Sequence, residues 1–219
     1  MPRDIDPLQI EVVERYKLLV GAIVPRPIAF VSTASPAGRH NLAPYSFFNG
    51  VGSNPMTLLF CPANDANGDE KDTLRNCKPL SMGGTGEFVV NVAAERYARE
   101  MAAAAEELSP LESEFDLVGL TPEPSAVVAP PRVKESPIAF ECRTVTVVAT
   151  NPGAPAGGNI VIGQVVNVHV QDDALVDERY RVDPERLAAI GRMAGITYCT
   201  TKDRFDIPWG RKALAAKAP

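Results

Sequence analysis

PRPIAFVSTASPAGRHNLAPYSFFN, residues 25–49, is the stretch whose reading decides the fold. Its first arm, PIAFVSTAS (27–35), is rich in β-branched and aromatic residues and reads as a strand. PAGR (36–39) reads as a turn, with Gly38 free to take the conformation that a turn demands. The second arm, HNLAPYSFFNGVG (40–52), resumes extended structure. Pro44 within it argues for a sheet edge or a bulge, because proline has no N–H to give to a central ladder. In an unbroken strand Tyr45 and Phe47 would face one side and Ser46 and Phe48 the other. A turn-linked strand pair that ends in so dense a mixture of polar, aromatic and rigid residues calls for an explanation beyond packing.

Outward from that pair, MTLLFCP (56–62), GEFVVNVA (86–93), SPIAFECRTVTVVATN (136–151) and NIVIGQVVNVHVQD (159–172) read as further strands. The last two are long and are joined by the Gly/Pro-rich hairpin NPGAPAGG (151–158). Helices are expected over 8–20, over KDTLRNCKPL (71–80) with Asp72 or Thr73 as cap, over AERYAREMAAAAEEL (94–108), and over DPERLAAIGRM (183–193). The last of these has Asp183 as N-cap and Pro184 at the first helical position. Residues 64–70 read as a polar loop, 109–133 as a long Pro-punctuated excursion, and 198–210 as an irregular tail. Strands and helices do not alternate regularly, which excludes a doubly wound sheet. Consecutive strands joined by short turns pair antiparallel, and a closed or nearly closed barrel protects their edges. The fold class is therefore mainly β with short helices (α+β), an antiparallel barrel in one domain over 1–219, with its core at about 15–205.

The composition of the 219 residues is that of an ordinary soluble globular protein, with 45% hydrophobic and 22% charged residues. A net charge of −5 argues against general binding to nucleic acid or an anionic membrane. Cys61, Cys77, Cys142 and Cys199 are scattered without CxxC spacing and read as reduced thiols of a cytoplasmic protein. No apolar run is long enough for a membrane span, and no secretory leader is visible. The chain has no P-loop, no GxGxxG opening a helix, no HExxH, no zinc spacing and no GxSxG elbow. It has two histidines, His40 and His169. Side-chain catalysis has little to build on, so an activity would belong to a bound cofactor that the protein orients.

Three segments taken together resemble the flavin reductase-like family: PRPIAFVSTASPAGRHNLAPYSFFN, then KDTLRN (71–76), then the hairpin ending in IVIGQVVNVHV (160–170). The resemblance runs from about residue 15 to about 205 and implies an FMN-binding split β-barrel, with FAD the lesser alternative. It implies that the second arm of the opening stretch cradles the isoalloxazine. Asn41, Pro44, Tyr45, Ser46 and Phe47 would line the flavin edge, with backbone contacts centred on Ser46. Ser32 and Thr33 would reach the ribityl chain or the phosphate, or serve only as strand residues. Arg26, held between two prolines, would offer its fork to the phosphate or stand in solvent. Lys71, Asp72 and Thr73 correspond to the phosphate-contacting segment, with Asp72 more suited to capping than to touching an anion; Arg75 and Asn76 are weaker candidates. His169 is placed near the nicotinamide side or on the surface, His40 in solvent, and Tyr198 either at the flavin pocket or covering the barrel. Met101 to Ala105 reads as a packing face.

The activity that the resemblance implies is reduction of FMN by NAD(P)H, in a homodimer, with reduced flavin passed to a partner monooxygenase. Hydride transfer between stacked rings calls for no obligatory side-chain acid or base, so no residue is assigned as catalytic. Two other readings stay open at this point: a non-catalytic FMN or electron-transfer protein, and a split-barrel flavoenzyme whose 109–133 excursion shapes a pocket for an organic substrate.

Overall fold

The computed structural model describes residues 2–109 and 111–216; Met1, Pro110 and 217–219 of the domain expected over 1–219 lie outside the described residues. In chain order the elements are α1 (Val12–Ala22), β1 (Arg26–Pro27), β2 (Ala29–Ala34), β3 (His40–Tyr45), β4 (Phe48–Ser53), β5 (Met56–Phe60), α2 (Asp72–Cys77) and β6 (Glu87–Val92). There follow α3 (Ala98–Ala103), α4 (Glu114–Val118), β7 (Pro122–Glu123), β8 (Arg132–Val133), β9 (Ile138–Ala149), β10 (Asn159–Val170), α5 (Pro184–Leu187), β11 (Ile190–Arg192) and β12 (Tyr198–Thr200). Seven strands form one sheet in the order β3-β2-β6-β9-β10-β5-β4, and every neighbouring pair is antiparallel.

The two edges of that sheet, β3 and β4, are consecutive in sequence and are separated only by Ser46 and Phe47. The chain itself joins the edges while no ladder does, which is the split of a split barrel. Pro44 sits on edge strand β3, opposite Phe30 of β2, where its missing N–H costs no ladder bond. The strand expected over 40–52 is therefore two strands with a corner at Ser46–Phe47. The alternation of Tyr45 and Phe47 against Ser46 and Phe48 is lost, because a corner does not keep the period of a strand.

All six residues of β2 are buried. Ala29 and Val31 point into the barrel, where they meet Leu58, Phe60, Leu74, Phe88, Val90 and Val161. Ile28 and Phe30 point outward into a second cluster with Leu42, Tyr97, Met101, Phe115 and Val133. Each such side chain stabilises the fold by about 1.5–3 kcal/mol when fully buried. The barrel interior is filled to the point that a Cβ at Gly163 of β10 would lie 2.3 Å from Cζ of Phe88.

The excursion is stitched to the barrel wall by buried polar groups. The Glu141 carboxylate, 1% exposed, accepts from the N–H of Ala126 (2.8 Å) and Val127 (2.7 Å) and from the Asn167 amide (2.9 Å). Glu87 accepts from the N–H of Ala129, Asn91 accepts from the N–H of Val133, and the Ser32 hydroxyl donates to the Pro131 carbonyl.

Three expected elements differ. The helix over 94–108 is a 3₁₀ turn at Glu95–Tyr97 followed by α3 alone. Tyr97, Met101 and Ala104 form its buried stripe, and the Ala105–Glu107 segment beyond offers nothing to bury. The helix over 183–193 stops at Leu187, where Ala188 turns left-handed at φ 42°. The residues that follow become β11, paired with β1 and β12 in a small second sheet. Asp183 does cap α5, accepting from the N–H of Glu185 and Arg186. The tail expected to be irregular over 198–210 contributes β12, and a 3₁₀ segment follows at Gly210–Ala215.

Candidate functional site

A cavity of about 370 Å³ opens beside edge strand β3. One wall is Asn41, Ala43, Pro44 and Tyr45 of that strand, joined by Lys71, Asp72 and Thr73 at the start of α2. The facing wall is the segment 104–108 after α3, together with Glu114 of α4. The volume lies within the roughly 300–1,000 Å³ of small-molecule sites. The packing that makes the first wall is the docking of α2 on the barrel, where Leu74 and Cys77 enter the interior cluster.

Behind the wall runs a hydrogen-bond network. The Glu114 carboxylate, 9% exposed, accepts from the Asn41 amide (3.0 Å to each oxygen) and from the N–H of Leu42 (2.9 Å). The Asn41 carbonyl in turn accepts from the hydroxyls of Thr73 (2.7 Å) and Thr33 (3.1 Å). Thr33 accepts from the Asn76 amide at 3.0 Å. Tyr45 packs against Phe60 in the barrel with the rings tilted at 43° and their centroids 5.3 Å apart. Burial pushes the Tyr45 phenol well above its usual value; the neighbouring Thr73 hydroxyl offsets this in part, and the charges of Glu114 and Asp72 add to it.

Several expected contacts are committed elsewhere. Arg26 is 4% exposed, and its guanidinium donates to the carbonyls of Val20, Ile23 and Met193 and to the Ser46 hydroxyl. It ties the C-terminus of α1 and the 193 loop to the Ser46 corner, leaving one of its five N–H groups for any phosphate. Ser32 faces the excursion and not the cavity, since its hydroxyl is given to Pro131. Thr33 is fully buried behind Asn41. Ser46 and Phe47 lie at the corner, Phe47 beneath the Arg26 guanidinium at 5.9 Å, and neither lines the cavity.

Neither Asp72 nor Thr73 caps α2. The N-cap is Lys71 and no side chain caps the helix, because Asp72 pairs with Arg75 at 2.6 Å and Thr73 donates to Asn41. The mouth of the cavity is acidic, not basic: Asp65, Asp69, Glu70, Glu106 and Glu107 stand against Lys71 and Arg75. Arg75 is held by Asp72, whereas Lys71 has only a loose 3.7 Å contact with the exposed Glu107. Lys71 is thus the cation available to a ligand.

Outside the cavity, His169 lies on β10 opposite Ala139. Its pKa is lowered by burial and by the nearby Arg132, against the opposing charges of Glu123, Glu141 and Asp172. His40 is exposed at the start of β3. Tyr198 covers the outer cluster, with the Arg192 guanidinium over its ring at 4.5 Å. Glu114 was not anticipated from sequence, since it sits in the excursion with no pattern around it and reaches its partners across more than seventy positions. Among the described residues no cluster of potential metal ligands occurs, and no helix is long and apolar enough to cross a membrane.

The donor set fits a flavin with an anionic tail. An edge strand interrupted by proline gives a flat ring a wall, and an uncapped helix start beside Lys71 gives an anionic end its donors.

Comparison with known proteins agrees. The family model of the flavin reductase-like domain matches residues 20–185. An uncharacterised protein of Aquifex aeolicus is 38% identical over 183 residues, covering 84% of this chain and 88% of its own. Among solved structures, nitrilotriacetate monooxygenase component B from Bacillus cereus is 36% identical with a TM-score of 0.86, covering 94% of this chain and 99% of that one. The 2-nitrobenzoate 2-nitroreductase of Pseudomonas fluorescens is 29% identical with a TM-score of 0.82, covering 95% of this chain and 97% of that one.

Proposed function

This chain belongs to the flavin reductase-like family, and on that premise we propose that it is a cytoplasmic NAD(P)H:FMN oxidoreductase that supplies reduced flavin to a partner monooxygenase. The observation that carries the reading is the cavity beside β3. Asn41, Pro44, Tyr45, Lys71, Asp72 and Thr73 line it together, although two distant segments supply them. FMN held there by the β3 edge, Lys71 and the start of α2 would supply the redox chemistry, a site for hydride from a nicotinamide. The chain's own residues bind and orient. Pro44 and Tyr45 present the strand edge to the ring, and Tyr45 is held rigid by Phe60. Lys71 meets the phosphate with the helix amides behind it. The likeness to a protein named as a monooxygenase component supports a monooxygenase partner. Four free thiols support a reducing compartment.

A homodimer completes the proposal. Val12, Val13, Tyr16, Leu18 and Leu19 of α1 are all exposed, and only Val20 of that helix is buried. Val145, Val148, Val166 and Val168 add an exposed apolar face on the long hairpin. Surface of this kind on a folded chain marks an interaction site, and a second copy is the partner that we assign to it.

The test is anaerobic stopped-flow bleaching of the flavin absorbance in purified protein loaded with FMN. Faster bleaching by NADH or NADPH than in free FMN is expected. Protein that holds FMN yet gains nothing over free flavin would refute the reductase. A second reading, in which the flavin reduces an organic substrate, is favoured by the likeness to a nitroreductase. It predicts nucleotide-dependent turnover of a nitroaromatic without release of flavin.

A further inference from the structure

Thr73 lines the cavity with a hydroxyl whose proton has a fixed direction. The direction originates at Glu114. A carboxylate only accepts, so the three contacts from the Asn41 amide and the Leu42 N–H fix which end of the Asn41 side chain faces it. The Asn41 carbonyl is thereby turned to Thr33 and Thr73. Thr33 already accepts from Asn76, so its proton goes to Asn41. Thr73 gives its proton to Asn41 as well. The order runs from Thr73 to Asn41, with the Asn41 amide closing on Glu114. Thr73 is left to the cavity as an acceptor. A ligand phosphate would find its donor in Lys71 and not in the Thr73 hydroxyl.

We propose that Glu114 is a positioning residue of the flavin site, setting the hydrogen-bond polarity of the Asn41–Thr73 wall that the ligand meets. The proposal rests on the flavin reading above. It gives the excursion a role at the site: α4 carries an acidic group that reaches behind β3 and contacts both a wall side chain and the adjacent backbone.

Glu114→Gln tests it. A glutamine keeps the shape but brings an N–H₂ group to one of the two acceptor positions. If its oxygen keeps the Leu42 N–H, its nitrogen faces the Asn41 amide, donor to donor. The Asn41 amide either keeps one acceptor and meets a donor at the other, or flips and faces two hydroxyls whose protons must reverse. Either response alters the wall. FMN affinity, measured by quenching of flavin fluorescence, is expected to fall about tenfold or more, as for a buried hydrogen bond turned against itself. The absorbance spectrum of the bound flavin is expected to shift with it.

The double variant Asn41→Asp with Glu114→Gln exchanges the chemistry at unchanged net charge. The carboxylate brought to position 41 would accept from the new amide at position 114 and from Thr33 and Thr73. The oxygen of that amide would take the Leu42 N–H. Affinity and spectrum are expected to return to within about threefold of wild type. Urea midpoints of the unloaded proteins follow the same order if the polarity is shared, and they show that each variant folds. Wild-type protein that fails to bind FMN overturns the flavin reading and this role with it. Wild-type binding with an unchanged Glu114→Gln overturns this role alone. So does a folded double variant that is no better than the single one, because a purely structural carboxylate would not be restored by the exchange.

Discussion

Replacement of Glu141 by glutamine is expected to loosen the excursion from the barrel, and the size of the effect follows from three hydrogen bonds. The carboxylate is 1% exposed and accepts from Ala126, Val127 and Asn167 at 2.7–2.9 Å. Glutamine keeps one acceptor and sets an amide nitrogen against one of those donors. A buried hydrogen bond to a charged group is worth about 1.5–3 kcal/mol, so the variant is expected to lose about 2–3 kcal/mol. For a chain of this length that corresponds to a fall of about 4–12 °C in Tm. The pH dependence sharpens the test. Burial pushes the Glu141 carboxyl upward, but the Ala126 and Val127 N–H groups, the Asn167 amide and the Val128 backbone outweigh it. The net pKa lies below the usual 4.5. The folded value is thus lower than the unfolded one. The stabilisation is complete above 4.5 and is lost as pH falls through the folded value. The assay is urea denaturation of both proteins followed by circular dichroism, at neutral pH and at several values below 4.5. The gap between wild type and variant is expected to close in acid, where Glu141 itself is protonated. A gap that stays constant across that range, or no gap at neutral pH, refutes the reasoning.

Gly163→Ala is expected to cost about 1–3 kcal/mol by overpacking, since the added methyl would lie 2.3 Å from Phe88 Cζ and 3.3 Å from Cys142 Cβ; thermal unfolding with an unchanged Tm would show that the ring can yield. Lys71→Ala is expected to weaken FMN about tenfold while leaving riboflavin nearly unchanged, and equal weakening of both in parallel titrations would remove Lys71 from the phosphate. Light scattering is expected to give twice the 23.5 kDa of the chain. Leu19→Lys on α1 should then shift the mass toward the monomer, and a chain that is monomeric at micromolar concentration from the start would remove the proposed dimer.

The strands were legible because their signal is local. The β-branched run at 27–35, the apolar segments at 56–62 and 86–93, and the glycine-rich tip of the long hairpin each announce themselves within a few residues. Pro44 announces an edge for the same reason. The strand order was not legible, because it depends on which strands meet across the barrel. Helix ends fail where tertiary contacts override propensity: 94–108 is rich in helix formers but has apolar cover only as far as Ala104. At the site, the two segments of the first wall can be read from their residue types. Arg26 reads as open to a phosphate because its partners are backbone carbonyls and one distant serine, which no sequence pattern displays. Glu114 and Glu141 are invisible for the converse reason. An isolated glutamate reads as surface, and only the fold shows the amides that it accepts from.

The two clusters that share β2 have a consequence for how the molecule breathes. The α2 part of the first wall packs into the barrel interior through Leu74 and Cys77; the facing wall packs into the outer cluster through Ala104 and Phe115, and β3 joins that cluster through Leu42. β2 contributes to both clusters, so its amides can exchange with solvent only when both open, and it belongs to the slowest-exchanging part of the chain. Residues 104–109 and 111–118 lift only when the outer cluster opens and the Glu114 bonds to Asn41 and Leu42 break. A molecule held between the walls opposes that motion, because lifting would strip away its contacts on one side. Its affinity is therefore also a local protection of the α3–α4 segment, which shields amides there while leaving those of the barrel interior almost as they were.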